Sequence, residues 1–199
     1  MIRHRAQLPG PTVTVGVLAA VSAALAGHLR ELGDDPSTLG AEVPMAKAGV
    51  RKAHNHFGNV AVGLYPELDF GERADRIAGD LAQRRRTAGH PTMLASSRAF
   101  AAVPAPLLRW GVNQFDPTVR SPTVTGNTVV SSVNRGPADL RFGELPVVLT
   151  AGYPGLSPMM GLTHGVHGIG DTIAISVHAA ESAIGDVDAY VERLEAALS

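Results

Sequence analysis

Histidine is the residue type in this sequence best placed to do chemistry, with eight copies at His4, His28, His54, His56, His90, His164, His167 and His178. Imidazole titrates near neutrality and can take or give a proton at physiological pH. His54 and His56, together with His164 and His167, make two close pairs that could be asked to hold a metal. On a strand the first pair would face one side. No carboxylate falls at a spacing that completes a ligand pattern. Both pairs sit among glycines and asparagines and read as loops, where histidine serves ordinary turn hydrogen bonds. A serine nucleophile also lacks its frame. There is no G-x-S-x-G elbow, and Ser157, in Gly155-Leu156-Ser157-Pro158, is not flanked by the small residues a strained turn needs. The glycines of His164-Gly165-Val166-His167-Gly168-Ile169-Gly170 come without the Lys-Ser/Thr of a phosphate loop. With no cysteine, disulfides, thiolate catalysis and zinc–thiolate sites are excluded. The residues therefore predict no self-contained active site, with no catalytic residue, metal or cofactor.

The elements that would position any site are easier to read. The chain has 199 residues, 45 % of them hydrophobic but only 5 % aromatic, so its core must be built mainly from Ala, Val and Leu. A formal net charge of −1 offers no basic footprint for nucleic acid. Residues 12–32 read as a helix with Leu18, Val21, Leu25 and Leu29 on one stripe, ended by Gly33 and Pro36. Strands are expected at 39–45 and 60–65. Asp69 and Glu72 have capping-box spacing and open a helix with Ala74, Ile77, Ala78 and Leu81 on one face. That helix closes at Arg84, Arg85 and Arg86, whose charges complement its dipole. Residues 93–103 and 106–115 read as short helices, and 123–133, 145–150 and 171–178 as strands. In the last of these, Ile173, Ile175 and Val177 share a face. A closing helix over 187–198 puts Val187, Val191, Leu194 and Leu198 on one stripe. Interspersed helices and strands predict an α/β fold, a two-layer sandwich of mixed sheet and helices. Residues 1–11 are left as an N-terminal extension of a single domain over 12–199.

The N-terminus also fits a secretory signal. Arg3, His4 and Arg5 precede an apolar run over 13–26 that ends in Ala24-Leu25-Ala26. The helical pattern continues past that point through His28-Leu29-Arg30-Glu31-Leu32, and Pro9-Gly10-Pro11 is an odd hinge for a signal. A core helix is the preferred reading.

Three stretches, in order, resemble the bacterial wax ester synthase/diacylglycerol acyltransferase family. Thr12-Val13-Thr14-Val15-Gly16-Val17-Leu18-Ala19-Ala20-Val21 is similar to the family's T-V-N-D-x-x-L-A helix start. Val43-Pro44-Met45, then Phe57-Gly58-Asn59 and the helix over 68–81, are similar to its V-P-V-S, G-N and E-R-L-x-x-I segments. Val129-Val130-Ser131-Ser132-Val133-Asn134-Arg135-Gly136-Pro137 resembles its S-N-V-P-G-P loop with one extra residue. Pro154, Ser157-Pro158, Gly161-Leu162, the strand over 173–177 and the helix over 186–198 follow in the family's order.

That resemblance implies one domain, the C-terminal half, of the CoA-dependent acyltransferase fold shared with chloramphenicol acetyltransferase and condensation domains. It also implies triacylglycerol synthesis: esterification of diacylglycerol or a fatty alcohol from acyl-CoA, a substrate rather than a cofactor. The family's general base is the second histidine of an H-H-x-x-x-D-G motif in its N-terminal domain. This sequence contains no adjacent histidine pair. Thr14 and Val15 replace the N-D pair. The chain therefore resembles a half-enzyme whose base comes from a complementary N-terminal polypeptide. A lone chain is expected to self-associate through the exposed interdomain face. Residues implied for a substrate channel or CoA contact are Ser131, Ser132, Asn134, Arg135, Gly136, Pro137 and Asn59, with Arg135 suited to a CoA phosphate. As local chemistry, the same turn reads equally as a strand-ending turn with a solvated arginine, and Asn59 and Asn127 as turn caps. The expected location is the cytoplasm, or the surface of a membrane or lipid droplet. Two other readings stay open: a non-catalytic lipid, acyl-CoA or protein-binding module, and a secreted protein whose signal is residues 1–26.

Overall fold

The computed structural model describes residues 1–47, 56–114, 116, 119 and 124–199. Its first helix, α1 (Val13–Leu32), opens where Thr12 accepts the amide of Val15 and closes at Gly33 in the left-handed conformation, φ 82°. The expected single stripe is too narrow a description. Val15 to Ala26 is buried on nearly every side except at Ala23, because sheet and helices surround it. Composition alone would let α1 cross a membrane, yet 61 % of its apolar window is buried inside this fold.

Around α1 stand β1 (Ile2–His4), β2 (Gly40–Ala46), β3 (Phe57–Gly63), β4 (Thr128–Asn134), β7 (Leu162–Ile169) and β8 (Thr172–Ala179), a six-stranded sheet in the order β1-β8-β7-β4-β2-β3. β4 runs parallel to both β2 and β7, and the other pairs are antiparallel. β5 (Arg141–Phe142) and β6 (Leu145–Pro146) form a separate hairpin. The helices α1, α2 (Phe70–Ala88) and α5 (Val187–Ala197) cover one face of the sheet, where Ala41, Val43, Val62, Val130, Leu162, Val166, Ile173 and Ile175 meet them in one core. This is the expected two-layer α/β sandwich with a mixed sheet. Helices α3 (Pro91–Ala101) and α4 (Ala105–Asn113) lead away from that layer.

Several elements differ from expectation for physical reasons. Ile2–His4 does not trail outside the domain but pairs with Thr172–Ala174 as an edge strand. The glycine- and histidine-rich stretch 162–169 is not a loop. It is β7, buried along its whole length. Its glycines mark close backbone approach: a Cβ on Gly165 would lie 1.9 Å from the Gly152 carbonyl oxygen. The strand expected over 145–150 is only the two residues of β6, whose side chains are exposed and which pairs, among the described residues, with β5 alone. The buried stripe of α5 centres on Tyr190 and Leu194, with Leu198 following, while Val187 is exposed. On α2, Asp69 accepts the Glu72 amide as expected, and the reciprocal bond of the box is absent among the described residues. Thr123 and Phe115, at the ends of two expected elements, lie outside the described residues.

Candidate functional site

The face of the sheet opposite the helices carries a groove of ≈ 370 Å³. Strand alternation builds it. Ala41 and Thr128 are register partners facing the core, so their neighbours Glu42 and Val129, also partners, face outward. On β3, Asn59 shares the outward side. The Asn59 side-chain amide donates to Glu42 Oε2 at 2.9 Å, and the Thr125 hydroxyl donates to Oε1. The chain entering β4 passes close over β2: a Cβ on Gly126 would lie 2.8 Å from the Glu42 backbone nitrogen. Asn127 fixes that passage, accepting the Gly40 amide through Oδ1 at 3.0 Å and donating its own amide to the Gly40 carbonyl at 2.8 Å. The far wall is a tight turn in which Ser157 and Met160 exchange both backbone hydrogen bonds, presenting Met159 and Met160.

Chemically the groove is a pinned carboxylate beside an apolar wall. Glu42 accepts from two side chains and keeps lone pairs for a further O–H or N–H donor. Val124, Val129 and the methionines suit an apolar portion of the same molecule. No histidine lines the groove among the described residues.

The histidines have other tasks. Thr128 donates its hydroxyl to the Leu162 carbonyl at 3.0 Å, so it accepts from His164 Nδ1 at 2.9 Å, and His164 Nε2 accepts from the Tyr190 hydroxyl at 3.0 Å. Burial pushes the His164 pKa down to about 4 and raises that of Tyr190. His164 is a neutral core residue. His167, three residues on, faces the opposite side of the sheet against Gly152, with Nδ1 unpartnered among the described residues. Burial lowers its pKa, and the Arg135 charge adds to the effect. His164 and His167 therefore cannot share a metal. His54 lies outside the described residues, and no group of three or more metal-ligating side chains occurs among those described.

The residues expected in a channel are divided by the fold. Asn59 lines the groove. Ser131 is half-buried one strand step along the same face, and Ser132 turns to the helices, where its hydroxyl accepts from Thr14 at 3.0 Å. Thus two of the stretches that carried the resemblance touch in space. Asn134, Arg135, Gly136 and Pro137 lie at the opposite end of β4. There Asn134 Oδ1 accepts the Gly136 amide, Gly136 sits at φ 90°, and the Arg135 amide donates to the Gly168 carbonyl. The Arg135 side chain is exposed. Glu42, Thr125, Met159 and Met160 were not anticipated. A charged residue in the middle of an otherwise apolar strand was the one available signal, and it identifies Glu42 alone.

No protein-family model matches the sequence, and no curated protein does. Solved structures do. The wax ester synthase/diacylglycerol acyltransferase from Marinobacter aquaeolei VT8 is similar over 100 % of this chain, with TM-score 0.63 and 16 % identity. The chain has the fold of half a CoA-dependent acyltransferase. A starter condensation domain of the rhizomide synthetase RzmA, solved with C8-CoA and Leu-SNAC, matches over 100 % of this chain at TM-score 0.57 and 14 % identity. A condensation domain from the enacyloxin polyketide synthase matches over 94 % at TM-score 0.51 and 12 % identity. The chain spans less than half the length of each: 46 %, 42 % and 35 %.

Proposed function

We propose that this chain is the C-terminal half of an acyl-CoA:diacylglycerol O-acyltransferase of the wax ester synthase type, supplying one wall of the substrate channel. The observation that carries the reading is the similarity of the entire chain to under half of a wax ester synthase/diacylglycerol acyltransferase, with a groove on the face free of helices. In the reaction, an acceptor hydroxyl attacks the thioester carbonyl while a base removes its proton. The C–S bond then breaks and CoA leaves as the thiolate, taking that proton. Glu42, held by Asn59 and Thr125, orients a polar group of the substrate, and Met159, Met160 and Val129 line its apolar part. Arg135 is offered to a CoA phosphate. The base comes from an N-terminal half carrying H-H-x-x-x-D-G, and the outward arm bearing Phe142, Leu145, Val148 and Tyr153, all largely exposed, is the surface for that half or for a second copy.

The test is acyl transfer from acyl-CoA to diacylglycerol by the purified chain, alone and mixed with a candidate N-terminal half. Transfer is expected only in the mixture. Robust turnover by the lone chain overturns the half-enzyme reading. Saturable acyl-CoA binding without transfer in any mixture favours instead a lipid- or acyl-CoA-binding module, a reading supported by the absence of an adjacent histidine pair from this sequence.

A further inference from the structure

Glu42 is an unusual residue for its place. It lies within β2 between Ala41 and Val43, both in the core, and glutamate is a poor strand former. Its half-buried side chain turns to the helix-free face, where its two oxygens accept from Asn59 and Thr125, both neutral donors. The ion pairs among the described residues join Arg3 to Glu195, His4 to Asp171 and Arg193 to Glu31, and none of them includes Glu42. A carboxylate drawn from water against an apolar wall is costly until a cation completes it. The groove beside it, ≈ 370 Å³ and lined also by Val124, Val129, Met159 and Met160, has room for one. That volume is in the range of small-molecule pockets, about 300–1,000 Å³.

We propose that this groove binds a primary alkylammonium amphiphile, its ammonium donating to Glu42 and its chain lying along Val129, Met159 and Met160. Three features select that ligand. First, the unpaired charge of Glu42 calls for a cation, and a ligand hydroxyl would leave that charge uncompensated. Second, Asn59 and Thr125 already take one position on each carboxylate oxygen. A compact ammonium fits the lone pairs that remain, whereas a guanidinium fork engages both oxygens at once. Third, the methionines are unbranched and polarizable, a wall that adapts to a flexible chain. The inference goes beyond the acyl-transfer reading, whose acceptor carries no charge, and concerns a further ligand of the same groove. Binding rather than transfer tests it, so its failure leaves that reading to the assay with diacylglycerol.

The full chain is titrated calorimetrically at pH 7 with octylamine, 1-octanol, octanoate and butylamine, both amines being charged at that pH. Octylamine should bind saturably, and added salt should weaken it. Octanol, equally long but uncharged, should bind at least about tenfold more weakly, and octanoate not at all. Butylamine, with its shorter chain, should also bind at least about tenfold more weakly. Glu42→Gln should lower octylamine affinity at least about tenfold and leave that of octanol unchanged, a split that a general loss of structure would not produce. Met159→Lys supplies an ammonium from the far wall and should exclude octylamine, with an unchanged circular dichroism spectrum confirming that both variants fold. Octanol or butylamine binding as tightly as octylamine, undiminished octylamine binding by Glu42→Gln, or no binding of octylamine overturns the proposal.

Discussion

Arg73 shows what a single residue contributes to this fold. Sequence periodicity gave the buried side of α2 to Ala74, Ile77 and Leu81, which are buried, yet Arg73 is buried beside them. Its guanidinium donates to four backbone carbonyls: Tyr65 through Nε, Ala19 through Nη1, and Pro66 and Leu68 through Nη2. It thereby fastens the turn between β3 and α2 to α1. That turn holds Tyr65 at φ 48°, a conformation costly for a tyrosine. Arg73→Met should lower unfolding free energy by about 3 kcal/mol, because the Pro66 and Leu68 carbonyls lose the donor that Nη2 supplies and the Tyr65 and Ala19 carbonyls lose a second one. Arg73→Lys should recover only part, since one ammonium cannot reach all four; urea denaturation of the two variants measures the difference.

His164 makes a second residue-scale prediction. Its folded pKa of about 4 lies below the ordinary 6.5, so the unfolded chain binds the proton more readily. Its contribution is fully present above pH 6.5 and is lost as pH falls from there toward about 4. The loss should be on the order of 3 kcal/mol. His167, lowered by burial and Arg135, acts in the same direction. Denaturation midpoints of wild type and His164→Gln across that range check the sign, and the variant should show the shallower slope. An unchanged slope would mean that His164 is not the titrating group.

At the scale of elements, legibility followed whether local pattern and tertiary role agreed. The helices α2 and α5 and the strand β8 announce themselves through apolar periods, because one face of each meets one core, and α1 does so through an apolar run set between its caps. β7 does not. Its sequence, Leu162-Thr163-His164-Gly165-Val166-His167-Gly168-Ile169, reads as a loop because glycine usually marks a turn, whereas here Gly165 lies under the crossing Gly152 carbonyl. The groove was half legible for a related reason. Asn59 stood out in a recognisable segment, but Glu42 and Thr125 are 83 residues apart in sequence, and only the parallel pairing of β2 and β4 brings them together. Glycine substitutions separate these cases. Gly165→Ala should cost about 3 kcal/mol or more, since backbone opposes the new methyl. Gly79→Ala, in α2 with nothing within 4 Å of the added carbon, should stabilise by about 0.5–1 kcal/mol. Thermal melts of both proteins check this pair.

For the molecule as a whole, the helices insulate one face of the sheet, while the other carries the groove and the exposed arm around β5 and β6. Phe142 and Val148 are 84 % and 73 % exposed, a load of apolar surface that a stable lone domain seldom carries in one place. If that arm receives an N-terminal half, Phe142→Asp with Val148→Asp should abolish reconstituted acyl transfer. The same pair should leave the stability of the chain within about 0.5 kcal/mol of its original value. Retained activity in the mixture would assign docking to another surface.

The placement of the first strand has a consequence for synthesis. β1 pairs with β8, and the Met1 ammonium donates to the Ile175 carbonyl across 174 positions of sequence. α1, the most apolar helix, lies against α5, and Glu31 of α1 accepts from Arg193 of α5. During synthesis α1 therefore emerges well before α5, one of the elements that cover it. Pairings of such sequence distance slow folding, and during that wait α1 presents an uncovered apolar surface. The interval before α5 is released is thus one in which the nascent chain is open to aggregation.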